Sequence, residues 1–301
     1  MGKKIFLICN AHLDPVWQWE WEEGAAEALS TFRIAADFCD EYDGFIFNHN
    51  EALLYRWIEE YDPELFKHIK RLIEEGKWHV MGGWHLQPDC NLPSGEAFVR
   101  QIKYGRDYFR KNFGVTSSTA FNVDPFGHSR GLVQIMKKSG FDSYIIMRPS
   151  KEFLELPSDL FIWKGYDGSE ITVARESSYR SHLGKATEKI EKTAEECGDN
   201  DIKLCLWGVG NHGGGPSKKD LDDITKLMNA SDKNEVEFIH STPEDFFREV
   251  KRLDKNLPVF DRELNPWAPG CYSSMAQVKK KYRQLENELF LTEKMVTAAE
   301  L

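Results

Sequence analysis

The sequence is short of cysteine, with six thiols in 301 residues and no pair in Cys-x-x-Cys spacing. They are Cys9, Cys39, Cys90, Cys197, Cys205 and Cys271. Cysteine-based zinc sites and disulfide frameworks depend on clustered thiols, so this scatter argues against both. The pattern is typical of reduced thiols in a cytosol, and we expect a cytoplasmic location.

The sequence also lacks a long apolar run, so it predicts no helix that spans a membrane. The first apolar stretch lies within Lys4–Cys9, which is too short for a signal peptide and has no small-residue cleavage site after it. We interpret this stretch as the first strand of the fold.

Positive charge is in deficit, since 39 Lys and Arg stand against 49 Asp and Glu and give a formal net charge of -10. This balance disfavours nucleic acid and anionic membranes as partners, whereas a neutral sugar is indifferent to it. The nine Trp side chains can stack on sugar faces, although in a protein of this size most of them pack in the core.

Strand-like apolar runs alternate with helix-length amphipathic segments over most of the chain. This alternation predicts an α/β fold with a parallel sheet and right-handed crossovers, of a size that suits an α/β barrel. Phe45–Phe47 is predicted as the second strand. Leu160–Lys164 and Glu170–Ala174 flank a glycine-containing turn and are predicted to form a hairpin.

The last part of the chain follows a different pattern. Residues 254–272 look irregular, and residues 273–301 predict one long helix with apolar positions on one face. Because such a face needs a partner, we expect two domains, 1–260 and 261–301, the second being the start of a helical bundle in a truncated chain. An uncovered apolar face can also lead to a homo-oligomer.

Two predicted strands end in groups that bind metals. The first leads into His12 and Asp14, and the strand that begins at Thr119 leads into Asp124. Residues two apart in an extended chain share a face, so His12 and Asp14 should point the same way. Imidazole and carboxylate groups suit a hard metal site. The alternative for His12 is an ordinary hydrogen-bonded histidine, and the alternative for Asp124 is a helix N-cap.

Several motifs together resemble glycoside hydrolase family 38, the zinc-dependent retaining α-mannosidases. The most specific are His12–Trp17, with the pattern H-x-D-P-x-W, and Asp124–Ser129, with the sequence DPFGHS. Further matches are Gly82–Trp84, Arg148 and Gly270–Ser273. The resemblance implies a seven-stranded (β/α) barrel as the catalytic domain, followed by a three-helix bundle and β-domains.

The resemblance also implies roles for single residues. His12, Asp14 and Asp124 would bind one zinc ion. Asp124 would also be the nucleophile that forms a covalent glycosyl intermediate. Arg148 would hold Asp124 ionised, because a neighbouring cation lowers the pKa of a carboxyl group.

The predicted substrate is a mannose-containing oligosaccharide or a simple mannoside. Trp17 would stack on the sugar ring. Trp84 and Asp89 are also assigned to substrate binding, with packing within their loop as an equal alternative.

The sequence departs from the family pattern at the fourth zinc ligand. Many members supply it from a His-His pair where this chain has Pro266 and Trp267. His212, in the glycine-rich loop 208–216, is predicted to replace it, with a solvent-facing loop histidine as the alternative. The same loop carries the acid/base aspartate in relatives, so the general acid stays unassigned. Trp267 is predicted to be a core residue or a sugar platform.

Two other functions compete with the mannosidase. A zinc-dependent carbohydrate deacetylase on a similar barrel would also use Asp and His ligands. A sugar-binding relative without activity would follow from the loss of the fourth ligand. We also expect this stretch of chain alone to have little hydrolytic activity, because active sites in the family use walls from later domains.

Overall fold

Strands and helices alternate along the chain in the computed structural model, as the sequence pattern predicts. It describes residues 2–198, 201–210, 213–254, 256–265 and 267–301. The strands are β1 Lys3–Cys9, β2 Phe47–His49, β3 Trp78–Val80, β4 Thr119–Phe121, β5 Ser143–Ile146, β6 Leu160–Lys164, β7 Glu170–Arg175, β8 Ile202–Trp207, β9 Val236–His240 and β10 Val259–Phe260. The helices are α1 Trp21–Glu41, α2 Ala52–Tyr61, α3 Pro63–Glu74, α4 Gly95–Phe113, α5 Leu132–Lys138, α6 Ala186–Glu195, α7 Lys218–Ala230, α8 Pro243–Arg252, α9 Gly270–Ser273 and α10 Ala276–Glu300.

In the described part of the chain, the strands form two five-stranded sheets. The first sheet has β1 at its centre, paired in parallel with β8, β9 and β2, while β3 follows β2. The second sheet has the order β10-β6-β7-β5-β4 and is parallel except for the predicted β6–β7 hairpin, which is antiparallel. The α/β class and the parallel pairing are therefore confirmed.

The second strand is displaced from its predicted position. The apolar run Phe45–Phe47 suggested a strand there, but β2 covers Phe47–His49 and pairs with Trp78–Val80. Asn48 and His49 are polar but completely buried. Hydropathy misplaced this strand because its last two residues are polar.

The two sheets share one interior. Side chains alternate along β1, so that Ile5 and Leu7 pack against helices while Phe6 and Ile8 point inward. The inward residues meet partners from the second sheet, including Phe121. The two sheets thus enclose a common apolar core rather than forming separate layers.

No backbone ladder joins β3 to β4 or β7 to β8 among the described residues, so the closed seven-stranded barrel is not confirmed. Side chains and isolated backbone contacts bridge both seams instead; Ser129 N donates to Cys90 O at 3.3 Å at the first seam and Ser181 N to Gly208 O at 2.8 Å at the second. Between β3 and β4, the Glu244 carboxylate accepts hydrogen bonds from Ser117 Oγ at 2.5 Å and Thr119 N at 3.2 Å, and contacts His79 Nε2 at 2.7 Å. We call this contact set, which lies at the start of β4, the lower bridge.

The seam between β7 and β8 is bridged in a similar way. Leu206 N donates to Glu176 Oε2 at 3.3 Å, and the Lys189 ammonium donates to the Leu206 carbonyl.

The loops that follow β8 and β1 lie in close contact. Gly208, just after β8, has a φ of +140°, and a Cβ there would lie 1.9 Å from Asn10 O. Glycine at this position therefore allows the loop after β8 to lie directly against the loop after β1.

Helix α10 ends the described chain and carries an exposed apolar face. Its exposed large apolar side chains are Val278, Leu285, Leu289, Leu291, Met295 and Val296. It contacts the rest of the chain through polar pairs such as Arg100 Nη2–Glu293 Oε2 at 2.7 Å. A helical bundle is not confirmed, and the division into 1–260 and 261–301 stays a prediction. Across the described residues, no helix has the length and apolarity needed to cross a bilayer.

Candidate active site

The predicted metal ligands converge at the carboxyl ends of the strands. His12 and Asp14 follow β1 in the first sheet, and Asp124 follows β4 in the second. His12 Nε2 lies 3.4 Å from Asp14 Oδ1 and 3.8 Å from Asp124 Oδ2. One ligand atom from each residue fits within 4.8 Å of the others, a spacing that a single ion can span.

The His12 imidazole is buried, and among the described residues neither ring nitrogen has a hydrogen-bond partner. Burial opposes a charge on the ring, but the nearby Asp14, Asp124 and Glu51 carboxylates more than offset it and raise the pKa of His12. A buried imidazole nitrogen without a partner that faces two carboxylates fits a cation in this position.

Asp124 contacts Arg148 as the sequence predicts. Arg148 Nη1 lies 2.9 Å from Asp124 Oδ1 and donates a 2.6 Å hydrogen bond to the Asp124 carbonyl. Burial nevertheless raises the pKa of Asp124, and the opposing charges of His12 and Arg148 do not reverse this. Arg148 thus acts on the pKa of Asp124 in the expected direction, and a bound cation would lower it further.

Arg148 is itself held by aromatic rings. Its guanidinium lies 4.2 Å from the Trp267 ring centroid and 5.4 Å from that of Phe126, and these two rings stack at 5.4 Å and 3°. Trp267 is thus part of the wall behind Arg148 rather than a residue of the core. Cation–π contacts of this kind restrict the orientation of a guanidinium.

The predicted substrate-binding residues have three different placements. Trp17 is exposed in the loop after β1, with its ring edge-on to Trp19. Trp84 is completely buried, packs on Phe141 and donates to the Phe121 carbonyl at 3.0 Å, so its assignment to substrate binding is corrected to packing. The sequence could not separate these cases because both residues follow strands in loops.

The Asp89 side chain forms hydrogen bonds within its own loop. Asp89 Oδ1 accepts hydrogen bonds from Asn91 N and Leu92 N, both at 2.8 Å, which closes a turn of the Asx type.

The residue predicted as the fourth metal ligand, His212, lies outside the described residues. The neighbouring Gly213 N lies 3.4 Å from the His12 carbonyl, so this loop does reach the first ligand.

Two residues near the cluster were missed by the sequence analysis. The Tyr179 ring packs against His12 with the ring centroids 4.5 Å apart and the planes tilted by 34°, and burial together with Asp124 raises the pKa of Tyr179 to about 12. Glu51 follows β2 and is buried, and that burial raises its pKa to about 7. Both come just after strands, a position that sequence can identify, but the strand after which Glu51 lies was misplaced.

The fold and the cluster define an α/β protein with a candidate metal centre at the carboxyl ends of its strands. Residues 2–268 match the sequence model of the family described as the glycosyl hydrolases family 38 N-terminal domain. The chain therefore belongs to glycosyl hydrolase family 38.

Named relatives agree with this membership. Alpha-mannosidase G of Dictyostelium discoideum is 31% identical over 310 residues, which cover 99% of this chain and 28% of that protein. The alpha-mannosidase of Saccharomyces cerevisiae is 29% identical over 301 residues, covering 95% of this chain and 28% of its own length. The chain therefore spans little more than a quarter of these relatives.

A solved structure shares the fold. The alpha-mannosidase from Enterococcus faecalis V583 superposes with a TM-score of 0.74 at 20% identity, over 87% of this chain and 31% of its own. At this identity the likeness concerns the fold. It supports the arrangement of strands and helices described above.

Proposed function

We propose that this chain is the catalytic part of a zinc-dependent retaining α-mannosidase. The observation that carries the proposal is the convergence of His12, Asp14 and Asp124 within 4.8 Å, with Arg148 on the far side of Asp124. Membership of family 38 and the names of the relatives support it. The substrate class is a mannose-containing oligosaccharide or mannoside.

The donor set fits zinc, since one imidazole and two carboxylates are ordinary zinc ligands. When bound there, zinc would supply positive charge and a point of attachment for sugar hydroxyls. His212 remains our proposed fourth ligand. The closed barrel and the cytoplasmic location likewise remain proposals.

In the proposed reaction, an Asp124 carboxylate oxygen attacks the anomeric carbon of mannose. A bond forms from that oxygen to carbon as the bond from carbon to the leaving oxygen breaks, and the leaving oxygen takes a proton from an acid not yet assigned. Water then hydrolyses the glycosyl ester, so the product keeps its anomeric configuration. Arg148 orients Asp124, and the exposed ring of Trp17 can cover the apolar face of the sugar.

A mechanism-based fluorinated mannosyl substrate tests the proposal in the protein that carries this chain. We expect the label on a peptide containing Asp124 and an α-configured product from an aryl α-mannoside. Labelling of another carboxylate, or a product with inverted configuration, would contradict it. Release of acetate from an N-acetylated sugar without mannoside hydrolysis would favour the deacetylase instead.

A further inference from the structure

Glu51 is a buried carboxyl group that the proposed reaction does not use. It lies between β2 and α2 with a φ of +72°, a left-handed backbone conformation that residues other than glycine seldom adopt. Its side chain does not cap α2, which it precedes. A backbone conformation of this kind persists where surrounding contacts fix it, and here these are the hydrogen bond from Ala52 N to the Trp84 carbonyl at 3.0 Å and the contacts of the Glu51 side chain.

The contacts of Glu51 lead across the seam between the two sheets. Glu51 Oε1 accepts two hydrogen bonds from Gln87, one from its backbone N at 3.2 Å and one from its side-chain Nε2 at 3.1 Å. The Gln87 side chain is thereby oriented with its Oε1 toward Val123, whose backbone N donates to it at 3.2 Å. Val123 directly precedes Asp124.

This chain of contacts, which we call the upper bridge, joins Glu51, Gln87 and Val123. It connects the end of β2 in the first sheet with the end of β4 in the second. No backbone ladder joins the sheets at this seam within the described ranges. The upper bridge crosses this end of the seam beside the hydrogen bond from Trp84 Nε1 to the Phe121 carbonyl, and of these two contacts it is the one that reaches the residue next to Asp124.

We infer that Glu51 is a positioning residue for the candidate metal centre. By fixing Gln87 against Val123 N, it sets the place of Asp124 relative to His12 and Asp14. The inference rests on the proposed function, because it assigns a role at the proposed zinc site. Residues that orient metal ligands typically change metal affinity by about 10–100-fold when they are removed.

The lower bridge offers a matched control. Glu244 is a second carboxylate at this seam. It accepts directly from Thr119 N at the start of β4, the end of that strand away from Asp124. A purely structural role predicts the same result for both glutamates. A positioning role predicts that only the upper bridge affects the metal.

The experiment measures the zinc dissociation constant by competition with a chromophoric chelator, in the protein that carries this chain. We expect Glu51→Ala and Gln87→Ala each to weaken binding by about 10–100-fold. Glu51→Gln keeps an acceptor oxygen and should weaken binding less than Glu51→Ala. The double variant Glu51→Ala/Gln87→Ala should bind zinc about as tightly as the single variant with the lower affinity, because both changes break the same chain of contacts. Glu244→Ala should lower the unfolding midpoint but leave zinc affinity unchanged.

Wild-type affinity in Glu51→Ala would overturn the inference, as would an equal loss in Glu51→Gln and Glu51→Ala or additive losses in the double variant. An equal loss of affinity in Glu244→Ala would also overturn it, since a general loss of structure would then be the cause. If Glu51→Ala does not fold, Gln87→Ala decides by the same criterion. Failure of the wild-type protein to bind zinc would instead overturn the proposed function, and the inference with it.

Discussion

The two sheets contribute to the candidate site in different ways. The first supplies His12 and Asp14 from one strand end, so the chain itself fixes their separation. The second supplies Asp124 and Arg148 from β4 and β5, which a parallel ladder holds side by side. Each pair is therefore set within its own sheet.

The relation between the two pairs has a different origin. Along the seam between β3 and β4, no backbone ladder joins the described residues. Hydrogen bonds of side chains cross it instead, through Gln87 and Trp84 at the upper end and Glu244 at the lower end, together with one backbone contact from Ser129 N to Cys90 O. The apolar core holds the two sheets together, and we expect the hydrogen bonds at the upper end of the seam to set how the two pairs lie relative to each other. The comparison separates residues that carry chemistry from residues that bring the halves together.

The largest loss of activity is expected from substitutions within the two pairs, His12 with Asp14 and Asp124 with Arg148. Asp124→Ala removes both the proposed nucleophile and a ligand, so kcat on an aryl mannoside should fall by on the order of 10,000-fold or more. Asp14→Ala removes a ligand only and should lose bound metal. Steady-state kinetics and metal analysis of both variants check this prediction.

Asp167→Ala is the control for that series, because Asp167 lies in the β6–β7 hairpin turn, where its carboxylate pairs with Lys138 at 2.9 Å. It should keep both metal and turnover. A full complement of bound metal in Asp14→Ala would refute Asp14 as a ligand. Turnover in Asp124→Ala equal to that of Asp167→Ala would refute Asp124 as the nucleophile.

The lower bridge should affect stability in a pH-dependent way. Burial opposes the charge of Glu244, but its contacts with His79 and Ser117 outweigh burial and keep its pKa below the ordinary value of 4.5. A carboxyl group with a lowered pKa in the folded state contributes stability at neutral pH, and this contribution is lost as the pH falls through that pKa. Glu244→Gln should therefore cost about 2–3 kcal/mol near neutral pH and progressively less in acid.

Urea unfolding of wild type and Glu244→Gln, followed from about pH 6 to about pH 3, checks this sign. The two stabilities should approach each other as the pH falls. A difference that stays constant over that range would mean that the charge of Glu244 does not stabilise the seam.

The smallest effect is expected at the wall behind Arg148. Trp267→Leu removes a cation–π contact worth up to about 2 kcal/mol, so turnover should fall by no more than about 30-fold. Trp267→Phe keeps an aromatic face and should retain more activity. Zinc affinity should not change, because Trp267 contacts Arg148 rather than a ligand. Equal losses in both variants would show that the ring face does not orient Arg148.

The sequence predicted those parts of the site that depend on local pattern. His12 and Asp14 follow an apolar strand at a spacing that places both on one face, and Asp124 follows another such strand. The hairpin of β6 and β7 also follows from a turn between two strand-like runs. In each case the controlling interactions lie within a few residues along the chain.

The parts that the sequence did not predict depend on distant contacts. β2 was misplaced because Asn48 and His49 are buried polar residues, which hydropathy treats as exposed. Trp84 is in the core because of its packing on Phe141, far along the chain. Glu51 bonds to Gln87, 36 residues away, and no local pattern indicates such a pair.

The central claim is that ligands from both sheets form one zinc site. Its most direct test is metal analysis with X-ray absorption spectroscopy, on the protein that carries this chain purified without chelator. We expect one zinc per chain, with nitrogen and oxygen ligands at about 2.0–2.2 Å and no sulfur. The absence of bound metal, or sulfur ligands at about 2.3 Å, would contradict it.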